Sequence, residues 1–389
     1  MPQPIKKHIR EIHEDMIKEP PFYTLLIDGG SLLFTSMRDE SVNSDGIHYG
    51  GIYQFLLQVK MQLSKRHFTY VYVFFDDEYS GKLRYDLYKP YKANRDKHYA
   101  DYEPNMSDYM RQVNDKVKAM QDYLFNKNKG KTPKNKWEKL IDENFDRERA
   151  ILMEMFEELY IRCYMDDVCE GDDLIAYYCK NRKPNEKIVI MSGDADLTQL
   201  LCDDIIIYNL TKKVYLSTKN FFTYFGYHPS NVLTRKIMIG DISDNIGNIK
   251  GLSEEGLMKL MPEIKNKPVS VDDIKKRAGE LIEERKKEKK KPLQIHENII
   301  NGIPNKQYDG DFYEINKKII DLSNPMLTKE AKKNLDDMMY APLDPNGRSF
   351  ENLYELIRHY NIGELLSETK FASFFGIFKT LENENCLIT

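Results

Sequence analysis

The sequence predicts an α/β fold, with a mainly parallel central sheet flanked by helices and a C-terminal helical region behind it. Two observations carry this. Short apolar runs of strand length alternate with segments of helical period. Two of those runs end directly in aspartates and a third leads into one, as expected where a parallel sheet presents an active site beyond the carboxyl ends of its strands.

Taken in order, Ile5, Ile9, Ile12 and Met16 fall on one face of a short helix within residues 1–21, closed by Pro20-Pro21. Phe22 to Ile27 reads as a strand delivering Asp28, and Tyr70 to Phe75 as a second delivering Asp76 and Asp77. Ile188 to Met191 runs into Ser192-Gly193-Asp194, and Ile205 to Tyr208 is a fourth strand. Helical patterns occupy about 50–66, 146–162 and 170–181. The lysine-rich stretch Asn126 to Lys139 reads as a solvated insertion, and Lys275 to Lys291 as exposed helix. The chain is helical again after Pro292, ending in a block with Tyr354, Leu356, Ile357, Leu365 and Leu366. This gives a core at 22–230 and a helical C-terminal domain at 231–389.

Composition narrows the classes. With 389 residues and 41% hydrophobic content, the chain has enough apolar side chains for a core in one large or two ordinary domains. A net charge of -4 argues against a globally basic nucleic-acid binder and leaves local patches open. The five cysteines include no C-x-x-C pair and the eight histidines have no zinc-ligand spacing, so neither zinc nor disulfides are expected. Lys6, Lys7 and Arg10 stand where a signal peptide needs an apolar run, and no stretch reaches membrane-span length. The expected location is cytoplasmic, not secreted and not on a membrane.

Carboxylates recur in five separate segments: Asp28; Asp76; Glu170, Asp172 and Asp173; Asp194 and Asp196; Asp241 and Asp244. One aspartate at a strand end or helix start is more often a cap than a ligand. Five such segments in one cleft would repel one another unless cations neutralise them. Oxygen donors without histidine or cysteine favour Mg²⁺, with Mn²⁺ as substitute, and phosphodiester hydrolysis commonly uses two such ions about 4 Å apart. Glu170 and Asp173, i and i+3 at a helix start, share a face, and Asp172 points elsewhere. Between the second and third acidic blocks, Arg84, Lys89, Lys92 and Arg95 alternate with Tyr85, Tyr88 and Tyr91, combining phosphate-pairing cations with stacking rings. A solvated amphipathic helix is the competing account of that block.

These blocks, in order LLIDGGSLLF, FFDDEYSGKLRYDLYKPYKANR, CEGDDLIAYY, MSGDADLTQLL and GDISDNI, resemble the flap-endonuclease superfamily, and within it the phage 5′ nucleases including phage-type ribonuclease H. The resemblance covers about 22–262. It implies a PIN-like core with a helical arch over about 82–145 that contains the 126–139 insertion. It implies that Asp28, Asp76, Glu170, Asp173, Asp194 and Asp196 serve two metals directly or through water, with Asp241 and Asp244 completing the second site; Asp172 is counted with them. Lys92 and Arg95 correspond to the basic pair at the base of the arch, with Arg84 beside them; Lys89, Tyr91 and Lys250 are candidate nucleic-acid contacts.

The implied activity is 5′-3′ exonuclease and flap endonuclease on DNA and RNA·DNA, removing primers in phage replication. The implied partners are a single-strand-binding protein or other replication factors, with the chain itself a monomer. The family's potassium-assisted duplex contact lies at a helix-hairpin-helix. Here Gly247-Asn248-Ile249-Lys250-Gly251-Leu252-Ser253-Glu254-Glu255 departs from the usual turn and places two glutamates at the following helix start. A PIN-like endoribonuclease and a catalytically inert nucleic-acid-binding homologue are the rival readings.

Overall fold

The computed structural model describes residues 21–93, 136–365 and 367–385. The expected N-terminal helix, Arg95, most of the arch and the first part of the lysine-rich insertion lie outside them.

Among the described residues six strands form one sheet: β1 (Phe22–Asp28), β2 (Tyr70–Asp76), β3 (Arg162–Asp166), β4 (Glu186–Ser192), β5 (Ile205–Asn209) and β6 (Val214–Leu216). Their order is β3-β2-β1-β4-β5-β6. All pairs are parallel except β5 with β6. The mainly parallel α/β class expected from the sequence is therefore the one observed.

The helices are α1 (Gly29–Ser36), α2 (Gly50–Lys65), α3 (Lys82–Leu87), α4 (Lys136–Glu158), α5 (Gly171–Asn181), α6 (Phe221–Phe225), α7 (Val232–Ile239) and α8 (Glu254–Leu260). They continue with α9 (Val271–Lys287), α10 (Gln294–Asn301), α11 (Phe312–Ile320), α12 (Lys329–Met338), α13 (Phe350–His359), α14 (Glu368–Phe375) and α15 (Lys379–Asn385).

Strand alternation assigns the sheet's two faces. Leu25, Ile27, Val71, Val73, Phe75, Val189 and Met191 pack with α1, α2, α4 and the C-terminal helices α13 to α15. Leu26, Tyr72, Phe74, Ile188, Ile190 and Ile207 pack on the other side with α5 and α12. Both faces are covered, which is why these strands read as unbroken apolar runs. A third cluster joins Tyr88 and Tyr91 to α7, α8, α9, α10 and α11. The chain after residue 231 thus divides its packing, with one part forming this third cluster and the rest closing the two faces of the sheet.

Two strands were not legible. The helical pattern expected to reach 162 stops at Glu158, because Tyr160 takes a left-handed backbone (φ 57°) and Arg162 to Asp166 pairs with Tyr72 to Asp76. Strand β6, three residues long, returns antiparallel along β5.

The topology fixes where a site can form. From β1 the chain moves outward through β2 and β3, then crosses back to place β4 on the opposite side of β1. The strand order reverses between β1 and β4, and in such sheets the crevice beyond the carboxyl ends at that point is the ligand site.

Candidate active site

At the reversal point, β1 passes into α1 without a loop, and Asp28 caps the helix by accepting from Ser31 N at 2.9 Å. Gly29 is required here, since a Cβ would stand 2.6 Å from the Phe75 ring. The other Asp28 oxygen accepts from Ser192 Oγ, at the end of β4, at 2.6 Å. Ser192 Oγ in turn accepts from Asp194 N at 2.9 Å, and Gly193 N donates to Ser31 Oγ at 2.9 Å. The ends of β1 and β4 are therefore laced together, and Asp194 leaves that knot exposed. Asp194 Oδ1 accepts from Asp196 N at 2.7 Å. At the end of β2, Asp76 Oδ1 accepts from Gly171 N, the first residue of α5, at 2.7 Å.

The first turn of α5 sorts three acids onto two sides. Asp172 faces Asp194, Asp28, Asp76 and Asp196. Loss of water and then those four charges push its carboxyl well above the usual range. Asp28 is raised to about 7, chiefly by desolvation that its Ser192 and Ser31 hydrogen bonds offset only in part. Among the described residues no lysine or arginine forms an ion pair with the carboxylates of Asp28, Asp76, Asp172 or Asp194, although Arg149 Nη1 donates to the Asp76 backbone carbonyl at 2.9 Å, whereas basic side chains pair with the neighbouring acids.

Glu170 and Asp173 share the opposite side, as their spacing predicts, but that side is already neutralised. Arg84 on α3 pairs with both, taking Asp173 with two nitrogens and donating from Nε to Ile319 O at 2.8 Å. Lys92 Nζ pairs with Glu170, and Tyr91 OH donates to both Glu170 oxygens at 3.0 and 2.9 Å. Burial opposes the Glu170 charge, but Lys92 and Arg84 overcome it and hold the carboxyl at about 2.

Several expectations are corrected by this arrangement. Of the three acids, Asp172 rather than Glu170 or Asp173 turns toward the other carboxylates, because Arg84 and Lys92 occupy the far side. Arg84 is a buried cross-link (5% exposed) and not a free cation at the cleft. Tyr91 is 2% exposed, so its ring packs in the third apolar cluster and offers no face to a base. Lys92 lies beyond the end of α3, in a turn with φ 50°, not on a helix face. Lys89 is exposed and pairs with Asp86 at 3.0 Å. Lys250 is exposed in the turn before α8.

The GDISDNI turn does not bring its two aspartates to one place. Gly240 (φ 71°) caps α7, and a Cβ there would meet Gly247 O at 2.5 Å. This folds Asp241 back against Lys236 Nζ at 2.6 Å, and the same ammonium pairs with Asp196. Burial raises the Asp196 carboxyl, Lys236 lowers it, and it settles near 6. Asp241 is held at about 2, Lys236 outweighing burial. Asp244 instead accepts from Lys92 N through its carbonyl at 2.9 Å and from Tyr91 OH at 3.4 Å. Lys236 was missed from the sequence; a lysine five residues before an aspartate with a cap glycine between them was its only signal. At the altered hairpin, Glu254 pairs with Arg235 and Glu255 with Lys259, so both glutamates have counter-ions.

The donor set is all oxygen, and the clustered Asp172 carries a repulsion that a hard divalent cation would relieve, so the residues fit such an ion. Among the described residues no three of these groups are already drawn together into a coordination sphere.

The sheet carries this carboxylate cluster at its reversal point, and the comparisons give the family. The family model described as 5′-3′ exonuclease, N-terminal resolvase-like domain, matches residues 23–226, more than half of the chain. The chain belongs to that family. DNA polymerase I of Bacillus subtilis (strain 168) is 24% identical over 275 residues, covering 68% of this chain and 26% of that protein. A 5′-3′ exonuclease of Mycoplasmopsis pulmonis (strain UAB CTIP) is 31% identical over 121 residues, covering 31% of this chain and 40% of that protein. The chain thus spans well under two thirds of these relatives. The solved catalytic core of Rad2 in complex with DNA substrate shares the fold, with TM-score 0.51, 11% identity, and coverage of 95% of this chain and 98% of that one. No helix among the described residues is long and apolar enough to cross a membrane.

Proposed function

We propose that this chain hydrolyses phosphodiester bonds near the 5′ ends of DNA and RNA·DNA strands, as a 5′-3′ exonuclease and flap endonuclease that depends on divalent metal. The observation that carries this reading is the cluster of Asp28, Asp76, Asp172 and Asp194 at the strand-reversal point, unneutralised by any lysine or arginine among the described residues. Asp28, Asp76, Asp172 and Asp194 would hold one hard cation, and Asp196 with Asp241 a second; Mg²⁺ is the natural occupant and Mn²⁺ its substitute. Bound there, such ions neutralise the carboxylates and polarise the scissile phosphate.

The chain's own residues do the rest. Ser192 and Ser31 fix the rotamer of Asp28, and Gly171 N fixes that of Asp76. Lys92, 7% exposed and paired with Glu170, would turn toward a substrate phosphate, with Arg95 as its proposed companion. Lys89 and Lys250 are exposed and suited to backbone phosphates farther along the strand. Primer removal in phage replication, and action as a monomer, follow from the resemblance to phage 5′ nucleases.

One assay tests the reading: 5′-labelled flap, nicked duplex, RNA·DNA hybrid and circular single strand, each with Mg²⁺ and with excess chelator. Metal-dependent release from the 5′ ends with the circle resistant is expected. Cutting of the circle as fast as the flap would favour a PIN-like endonuclease, and cleavage undiminished by chelator would remove the metal.

A further inference from the structure

The two halves of the acid cluster differ in one physical respect. The carboxylates of Asp28, Asp76, Asp172 and Asp194 form no ion pair with a lysine or arginine among the described residues. Asp196 and Asp241 share the Lys236 ammonium, which sits against both with its side chain 13% exposed. Three features hold it there. The Gly240 turn brings Asp241 back over the end of α7, Ser243 N and Oγ fix the other Asp241 oxygen at 2.8 and 2.6 Å, and Asp196 N is tied to Asp194 Oδ1 at 2.7 Å. An ammonium and a divalent cation need the same oxygens, so they compete.

We infer that Lys236 is a built-in counter-ion for the second cation position, so that the protein without nucleic acid binds one divalent ion tightly and the second only by displacing Lys236. This rests on the proposed metal-dependent reading of the same site. A second ion entering between Asp196 and Asp241 forces the ammonium out of a mostly buried position toward another anion, and a substrate phosphate arriving at the cluster is the anion that meets that need. Ion and substrate then favour each other's binding, a coupling that must be reciprocal. The cluster avoids bare repulsion between Asp196 and Asp241 whenever substrate is absent.

The test is Mn²⁺ titration of the full chain without nucleic acid, following free Mn²⁺ by electron paramagnetic resonance, for the wild type, Lys236→Met and Lys236→Arg. A nearby opposite charge changes a carboxylate's affinity for a cation by roughly tenfold to a thousandfold. Lys236→Met, similar in length and uncharged, should tighten the second Mn²⁺ by roughly tenfold or more, with the first site unchanged. It should also lower the melting temperature of the metal-free protein and let Mn²⁺ restore it. Lys236→Arg should behave as the wild type. Should Lys236→Met not fold, Lys236→Gln replaces it, with the same expected gain in affinity. Two Mn²⁺ affinities equal within twofold in the neutral variant and the wild type would overturn the inference while leaving the metal site in place. Absence of Mn²⁺ binding in every protein would overturn both.

Discussion

Arg84 on α3 and Asp173 on α5 form a two-pronged ion pair inside the protein, with Nη2 to Oδ1 at 3.0 Å and Nη1 on Oδ2. Arg84 also reaches Ile319 O on α11, so one guanidinium joins the base of the arch, the acidic helix and the C-terminal helices. Removing one member of a buried pair strands the other charge and costs about 3–5 kcal/mol. Arg84→Ala and Asp173→Asn are therefore expected to lower stability by about that much in chemical denaturation. Arg84→Lys recovers little, because a lysine cannot reproduce the fork. Unchanged stability in either variant would mean the pair is not a structural link.

How far the sequence foretold this varies with the residue. Strands β1, β2, β4 and β5 were legible because burial on both faces leaves no polar position in Leu25-Leu26-Ile27 or Ile188-Val189-Ile190. Strand β3 was not, because its side chains are mostly half-buried and Leu159 and Ile161 carry on the preceding helix's apolar period. The acidic blocks were legible one by one, and so was the shared side of Glu170 and Asp173. Which side faces the other carboxylates is decided by Arg84, nearly ninety positions away in sequence, and helical spacing says nothing about that. Tyr91 looked like a stacking ring because interleaved lysines suggested exposure, yet the C-terminal helices cover it.

Lys92 is held in the left-handed region, where a side chain is strained and glycine is not. Lys92→Ala and Lys92→Gly separate its charge from its backbone. Both should lower single-turnover cleavage by roughly two orders of magnitude, in the range of removing one charge-stabilising donor. The glycine variant should be the more stable of the two. A harmless Lys92→Gly would assign the residue to the turn alone.

A second buried pair lies away from the cluster. His48 Nδ1 bonds to Glu148, whose other oxygen accepts from Ile52 N at 2.8 Å, while His48 Nε2 faces Asp39 O at 2.7 Å and Arg147 lies nearby. Burial depresses the imidazole's proton affinity, but the bond and charge of Glu148 outweigh it and the net shift is upward. A folded value above the unfolded one gives stability that is fully present below the unfolded value of about 6.5 and is lost as pH rises through the folded value. Denaturation midpoints should therefore fall across that rise, and His48→Gln should flatten the profile there. A slope unaltered by the substitution would place the titrating group elsewhere.

The most direct measurement compares Asp172→Asn with Asp173→Asn, neighbours of identical type on opposite sides of α5. Asn at 172 replaces a carboxyl whose ionised form burial and four neighbouring carboxylates disfavour, so the metal-free protein should melt no lower, and higher wherever the pH would ionise Asp172, while Mg²⁺-dependent cleavage of a 5′-labelled flap falls by two orders of magnitude or more. Asn at 173 should instead melt lower, through loss of its bond to Arg84. An Asp172→Asn protein that cleaves the flap at the wild-type rate would contradict the assignment of this cluster as the catalytic centre.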